Sequence, residues 1–265
     1  MRVIGIILVR DEDLFVEWSV RNVIAFCDEL IIADHHSRDR TPEILQNLAA
    51  EFPDKIRYHQ ILHPRESHEL IRPYANSDCW IFGIDGDEIY DPRGLAKFRA
   101  ELDRGTFRDT WVLFGNVLNV KVLDLPDRKA SGHLAPPCRS MTKLYNFSAI
   151  KDWTGNCLER LHGGEIIFHP GFDETKRTDY YKTVPWEQSP FRCLHLCFLK
   201  RSSLDQLGRP RLNIMDKYAW NAEKVFHKIS HILRGRTPTS WKEEKYARGE
   251  LVTLDINAFV QDKMS

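Results

Sequence analysis

Short apolar runs rich in Val and Ile alternate with segments of helical period, and few architectures accommodate that rhythm besides a mostly parallel sheet with helices on both faces. Residues 3–9 read as the first strand and residues 14–26 as a helix whose Phe15, Trp18 and Val23 fall near one face. Residues 29–33 are the second strand. Thr41 is expected to cap a helix running to about Phe52, with Pro42 in its first turn and Glu43 adding charge suited to an N-terminus. A third strand over 55–61, a helix over 68–76 and a buried fourth strand over 79–84 follow. Residues 111–122 supply one or two more strands.

The rhythm then weakens. Pro126, Gly132, Pro136 and Pro137 mark residues 124–140 as a loop, and a short strand over 165–168 lies between Gly164 and Pro170. A helical reading returns from Leu204, strongest over 213–233 and broken by Gly235 and Pro238. Residues 241–259 read as a terminal helix and strand. The expected fold is therefore α/β, with a Rossmann-like, mostly parallel sheet and a C-terminal helical extension. Residues 1–200 are taken as the principal domain, divided into halves 1–103 and 104–200, and residues 201–265 as a mainly helical extension packed on it.

With 265 residues, 42% of them hydrophobic, the chain can bury a sizeable core, which excludes a disordered, collagenous or coiled-coil chain. The 38 basic and 38 acidic side chains cancel, so nothing argues for nucleic acid as a partner. The cancellation hides an asymmetry: residues 1–103 carry 12 basic and 20 acidic side chains, residues 199–248 carry 12 and 5. Six cysteines without paired spacing indicate buried thiols, not a disulfide framework. The first apolar run is too short to span a bilayer, and Arg10 and Asp11 follow it at once. The expected location is the cytoplasm, with the inner face of a membrane as an allowed surface.

The strongest chemical signal is the run from Trp80 to Glu88, an apolar strand that ends in Asp85-Gly86-Asp87-Glu88. Carboxylates at a strand's carboxyl end lie in the crevice where open α/β sheets bind ligands, and a pair of them can hold a hard divalent cation that neutralises a diphosphate. Oxygen ligands favour Mg²⁺ or Mn²⁺. Taken alone, Asp-Gly-Asp is equally well an ordinary acidic turn. A second strand ends at Asp34, on the same edge if the strands are parallel, where a carboxylate can hydrogen-bond a nucleobase or ribose. Ser37 and Asp39 after it read as turn and cap residues.

Together with the polar run Arg10-Asp11-Glu12 and the helical Glu17-Trp18, these segments resemble the family 2 glycosyltransferases of the GT-A fold. The second strand leads into Asp34, Ser37, Asp39 and Thr41, matching Asp-x-x-Ser-x-Asp-x-Thr, and the fourth ends in the Asp-x-Asp motif. The resemblance covers residues 1–91. It implies a nucleotide-sugar donor with Arg10, Glu12 and Asp34 around the nucleotide, Asp85 near the ribose and Asp87 on the metal, Mn²⁺ or Mg²⁺. Arg10-Asp11-Glu12 and His35-His36 depart from the family's usual residues around the base.

Inverting transfer also needs a base for the acceptor hydroxyl and cations for the leaving group. Glu159, in a segment with Arg160, His162 and the pair Gly163-Gly164, is the first choice of base, and Asp173 the reserve. His195, followed by Lys200 and Arg201, resembles a late His-plus-basic element of the family, in which the His sits near metal or diphosphate and the cations face phosphates. A lone His in an apolar run is more often a packed core residue, and the resemblance brings that reading of His195 level with a metal ligand beside Asp87. Cys193 and Cys197 flank it on helical spacing, but no fourth zinc ligand is evident. Arg209, Arg211 and Lys217 suit a lid over the donor, and Lys242, Lys245, Tyr246 and Arg248 suit an anionic acceptor or a membrane surface.

The leading expectation is a metal-dependent inverting glycosyltransferase that moves a sugar from a nucleoside-diphosphate sugar to a saccharide or lipid-linked saccharide, as in polysaccharide or glycoconjugate assembly. The alternatives are a phosphohydrolase of the haloacid dehalogenase type and a non-catalytic nucleotide-binding protein. Ile89 and the two strand-helix units before the motif argue against the first. The retained carboxylate pair argues against the second.

Overall fold

The fold is known from a computed structural model that describes residues 1–140, 143–205 and 241–260. The helix expected over 213–233 and the candidate lid residues Arg209, Arg211 and Lys217 lie outside the described residues. In chain order the strands are β1 (Arg2–Val9), β2 (Glu29–Asp34), β3 (Ile56–Gln60), β4 (Cys79–Asp85), β5 (Glu88–Tyr90), β6 (Val112–Phe114), β7 (Asn116–Asp124), β8 (Lys129–Leu134), β9 (Lys143–Asn146), β10 (Ile150–Thr154), β11 (Glu165–Phe168), β12 (Arg177–Asp179), β13 (Arg192–His195) and β14 (Leu251–Asp255). The α-helices are α1 (Val16–Val23), α2 (Thr41–Glu51), α3 (Ser67–Ile71), α4 (Pro92–Asp103), α5 (Tyr180–Thr183) and α6 (Trp241–Tyr246).

Seven strands form the central sheet in the order β12-β6-β9-β4-β1-β2-β3. β1 runs parallel to both β2 and β4, and β2 parallel to β3, whereas β9 is antiparallel to its neighbours β4 and β6. The expected mostly parallel α/β sheet is thus present. Its continuous apolar runs follow from burial on both faces. Val3, Ile7, Val9, Ile32 and Phe82 join α1, α2 and α4 in one core, while Ile4, Ile6, Ile31 and Ile81 join Ile71 of α3 and the β10 residue Trp153 in another. Phe98 of α4 stacks on Phe191 at 4.6 Å, almost parallel, and ties α4 to the approach to β13.

A second sheet, ordered β14-β8-β7-β13-β5, begins where the first ends. The Asp85–Glu88 turn joins β4 of one to β5 of the other, so the acidic motif is the junction between the sheets. The tail returns to this layer: β14 pairs with β8, and the Phe259 carbonyl accepts from Trp18 Nε1 at 2.9 Å and from Asn22 Nδ2 at 2.7 Å.

Three expectations need correction. Residues 124–140 are not all loop, because β8 pairs with β7. Its small residues hid it, and a Cβ on Gly132 would lie 2.2 Å from the Asn119 carbonyl oxygen, so the close approach of the two strands demands the very residue that reads as a breaker. The first helix starts later than expected, at Val16, because residues 12–15 form a turn in which the Glu12 carbonyl accepts from the Phe15 and Val16 amides. Thr41 is not a cap: Arg40 holds that position without a side-chain bond, and the Thr41 hydroxyl serves another loop. Sequence reasoning also passed over α4, although Asp91 followed by Pro92 is a legible start, with Asp91 accepting from the Arg93 and Gly94 amides.

Candidate functional site

Strand register brings the three polar segments to one edge. Val9 pairs with Asp34 and Leu8 with Asp85, so the ends of β2 and β4 flank the end of β1. The segments after β1 and β2 are then stitched together by side chains. Ser37 Oγ accepts from the Asp11 amide at 2.8 Å, Thr41 Oγ1 from the Glu12 amide at 2.8 Å, and Asp39 Oδ2 from the Asp13 amide at 3.2 Å. Three residues of the Asp34–Thr41 motif thus hold three successive amides that would otherwise be left unpaired. Asp34 itself is fully buried, with Oδ1 accepting from the Ser37 amide and hydroxyl and Oδ2 from the Tyr58 hydroxyl at 2.9 Å. It shapes the loop and holds Tyr58, and presents no surface of its own.

Two guanidinium groups organise the carboxylates. Arg160 is buried; its Nη2 donates to Asp85 Oδ1 at 2.6 Å and to Glu159 Oε1 at 3.1 Å, and its Nη1 to the Ile84 carbonyl at 2.9 Å. Its backbone amide is fixed by Ser67 Oγ at 2.8 Å. Arg201 forms the second bridge, with Nη1 donating to Glu12 Oε1 at 3.2 Å and to Asp87 Oδ2. Both carboxylates and Arg201 are buried. Ion pairs of this kind survive desolvation only when geometry and further hydrogen bonds compensate. Here the backbone helps: the Arg201 carbonyl accepts from the Leu14 amide, Ser202 Oγ donates to Asp39 at 2.6 Å, and the Ser203 hydroxyl donates to Asp13 at 2.6 Å. Arg201 thus brings the late basic segment onto the acidic turn. At Gly86, between the two aspartates, a Cβ would lie 2.0 Å from Glu12 Oε2, so close approach of the first loop demands glycine.

His195 lies on a strand, not on a helix as Cys193 and Cys197 had suggested; it faces Glu88 in the β5–β13 ladder. Its Nδ1 lies 2.7 Å from Asn119 Oδ1, to which it can donate, and its Nε2 lies 3.8 Å from Asp87 Oδ2. Burial holds the imidazole below its ordinary pKa, against the pull of Asp87 and Asp85. Tyr246 of α6 covers the ring edge-on at 5.6 Å. Burial and then Asp85 push the Glu88 carboxyl up to about 8; it accepts from the Asp85 amide at 3.2 Å and the Tyr90 hydroxyl at 2.9 Å.

No group of three or more His, Cys, Asp or Glu side chains is arranged around a cation position among the described residues. Asp87 and the Asn119-oriented His195 are the two side chains whose donor atoms would suit a hard cation there.

The other expected residues are placed as follows. Arg10 donates to His35 Nδ1 at 3.3 Å, and His35 Nε2 in turn donates to the Leu62 carbonyl at 2.9 Å, which moors β1 to the segment after β3. Lys200 is exposed beside Arg201. Asp173 is an exposed turn residue bonded to Thr175. Glu159 is partly exposed, 22% for the side chain, and is drawn to Asp85 by Arg160. Sequence reasoning missed Asn119 and Lys143. Lys143 stands opposite Gly83 in the β4–β9 pairing, and burial and then Arg160 hold its ammonium below the usual lysine range. Its position beside the motif carries no sequence signal, because an antiparallel strand inserted from far along the chain delivers it.

No protein-family model matches the sequence, and no curated protein matches it. Among solved structures, S. aureus TarS in complex with UDP aligns at 14% identity over 56% of this chain and 48% of that chain, with a TM-score of 0.39. Glucosyl-3-phosphoglycerate synthase from Mycobacterium tuberculosis, in complex with Mn²⁺, UDP and glucosyl-3-phosphoglycerate, aligns at 17% identity over 56% of this chain and 58% of that chain, with a TM-score of 0.36. Mannose-6-phosphate isomerase from Helicobacter pylori aligns at 11% identity over 49% and 55%, with a TM-score of 0.35. The chain thus spans about half the length of each. Among the described residues no helix is long and apolar enough to cross a membrane.

Proposed function

We propose that this chain is a glycosyltransferase of the GT-A type that moves a sugar from a nucleoside-diphosphate sugar to an acceptor hydroxyl with inversion. The observation that carries the reading is the Arg160 bridge. One buried guanidinium holds Asp85, at the ligand-binding edge of the parallel sheet, and Glu159, the partly exposed candidate base, on the same nitrogen. In this reading the donor and the acceptor meet beside that guanidinium.

In the proposed reaction the acceptor oxygen attacks the anomeric carbon as its proton passes to the Glu159 carboxylate. The bond from that carbon to the diphosphate oxygen breaks, and its electron pair leaves with the diphosphate. Arg160 positions Glu159 while balancing Asp85. Lys143 and Lys200 add positive charge for the leaving group. Asp87 and His195 would hold Mn²⁺ or Mg²⁺, which when bound supplies Lewis-acid neutralisation of the diphosphate. Asp34, having no free surface, acts on the nucleoside through Tyr58 and the Ser37 loop, beside Arg10 and Glu12. A saccharide, free or lipid-linked, is the acceptor class that goes with this chemistry.

Glu159→Gln tests the reading. The variant should lower kcat by about 10²- to 10⁴-fold, the usual weight of a general base. The thermal shift given by nucleoside diphosphate with Mn²⁺ should be unchanged. Full activity in the variant, or no nucleoside diphosphate or its sugar shifting the wild-type melting temperature, would overturn the assignment.

A further inference from the structure

Asp87 Oδ2 is asked to serve two partners. It accepts from Arg201 Nη1, and it is also the oxygen that faces His195 Nε2 at 3.8 Å, where a cation shared by Asp87 and His195 would lie. A guanidinium and a divalent cation compete for one carboxylate oxygen and repel each other across a buried space. Arg201 is well suited to move. It sits on the segment after β13, not inside a strand, and its other carboxylate partner, Glu12, lies on the first loop, not on the motif itself. Its Nε is buried without a hydrogen-bond partner among the described residues, so the docked position leaves one of its donors unused.

We propose that Arg201 is an exchangeable internal counter-ion: it neutralises Asp87 and Glu12 while the site is empty, yields Asp87 to the divalent cation, and is thereby released toward the donor diphosphate. The inference rests on the metal-dependent reading of the site. It adds an order of events, in which the empty site is held closed by its own cation. Because Ser202 and Ser203 dock the same segment onto Asp39 and Asp13, movement of Arg201 is coupled to the loop that carries Glu12.

The experiment is direct Mn²⁺ binding to the full chain, followed by the electron paramagnetic resonance signal of free Mn²⁺, with and without UDP as the probe nucleotide. Without nucleotide, Arg201→Met should bind Mn²⁺ more tightly than wild type by about ten- to a hundredfold, the weight of a charged hydrogen bond no longer in competition. With UDP present the advantage should shrink, since the released guanidinium then favours the wild type. Should Arg201→Met fail to fold, Arg201→Gln removes the positive charge while keeping an amide donor for Asp87 or Glu12, and is expected to tighten Mn²⁺ in the same direction. Equal or weaker Mn²⁺ binding in the folded variants overturns the exchange while leaving the metal reading intact. Absence of Mn²⁺ binding in wild type and variants alike, with and without UDP, overturns both.

Discussion

The stitch between the first two loops lends itself to a quantitative test through Thr41→Val. Valine keeps the shape and branching of threonine and removes the hydroxyl, which accepts from the Glu12 amide at 2.8 Å and also bonds the Asp39 carboxylate. Both residues are buried, so water cannot readily replace the lost partner. A buried donor left unsatisfied costs about 1–3 kcal/mol. For a domain of this size that corresponds to a fall in melting temperature of roughly 2–4 °C for each kcal/mol. The Thr41 amide still donates to Asp39 Oδ1 at 2.9 Å, so the start of α2 should be untouched and helical circular dichroism unchanged. Differential scanning calorimetry measures the shift, and urea unfolding with an unchanged slope would place the loss in stability, not in compactness. Ser37→Ala removes the neighbouring stitch. Because both hold one loop, the double variant should lose less than the two single losses added together. A Thr41→Val melting temperature within about 1 °C of wild type, as for a neutral surface change, would refute the argument that this motif is a structural zip.

Two further outcomes follow from the same geometry. Gly86→Ala should lower stability by about 1–3 kcal/mol, the range for overpacking, and weaken nucleotide binding, because the new Cβ meets Glu12 and lies 2.8 Å from Val9 Cγ1; thermal melts with and without UDP would show both. His35 is held below the ordinary histidine value of 6.5 by burial and then by Arg10. The unfolded chain therefore takes up the proton first, and the stability owed to the neutral ring is present above that value and lost as pH falls below it. As pH falls from 8 to 5 the melting temperature of wild type should drop relative to that of His35→Gln; His68, His162 and His195, lowered in the same sense by burial, and Glu88, raised to about 8 and so opposite in sense, are common to both proteins and cancel in the comparison.

Much of the framework was legible locally. A strand buried on both faces must be apolar along its whole length, so the runs of β1, β2 and β4 declared themselves, and parallel order put Asp34 and Asp85 at one edge. β8 was not legible, since its Gly132 serves a close contact with Asn119 that exists only after folding. Nor was the further purpose of Ser37, Asp39 and Thr41: Ser37 and Asp39 make the local turn bonds their types suggest, and all three also bind amides on another loop.

The sequence by itself determined where the carboxylates stand, because strand and turn patterns are properties of neighbouring residues. Only the tertiary structure decided what neutralises them. Arg160 reaches Asp85 from 75 residues away and Arg201 reaches Asp87 from 114, while Arg201 and Glu12 are separated by 189. An arginine reads the same on paper whether it meets water or a buried aspartate. Burial raises both the attraction within the pair and the cost of desolvating it, and burial is settled by which distant segments the sheets bring together.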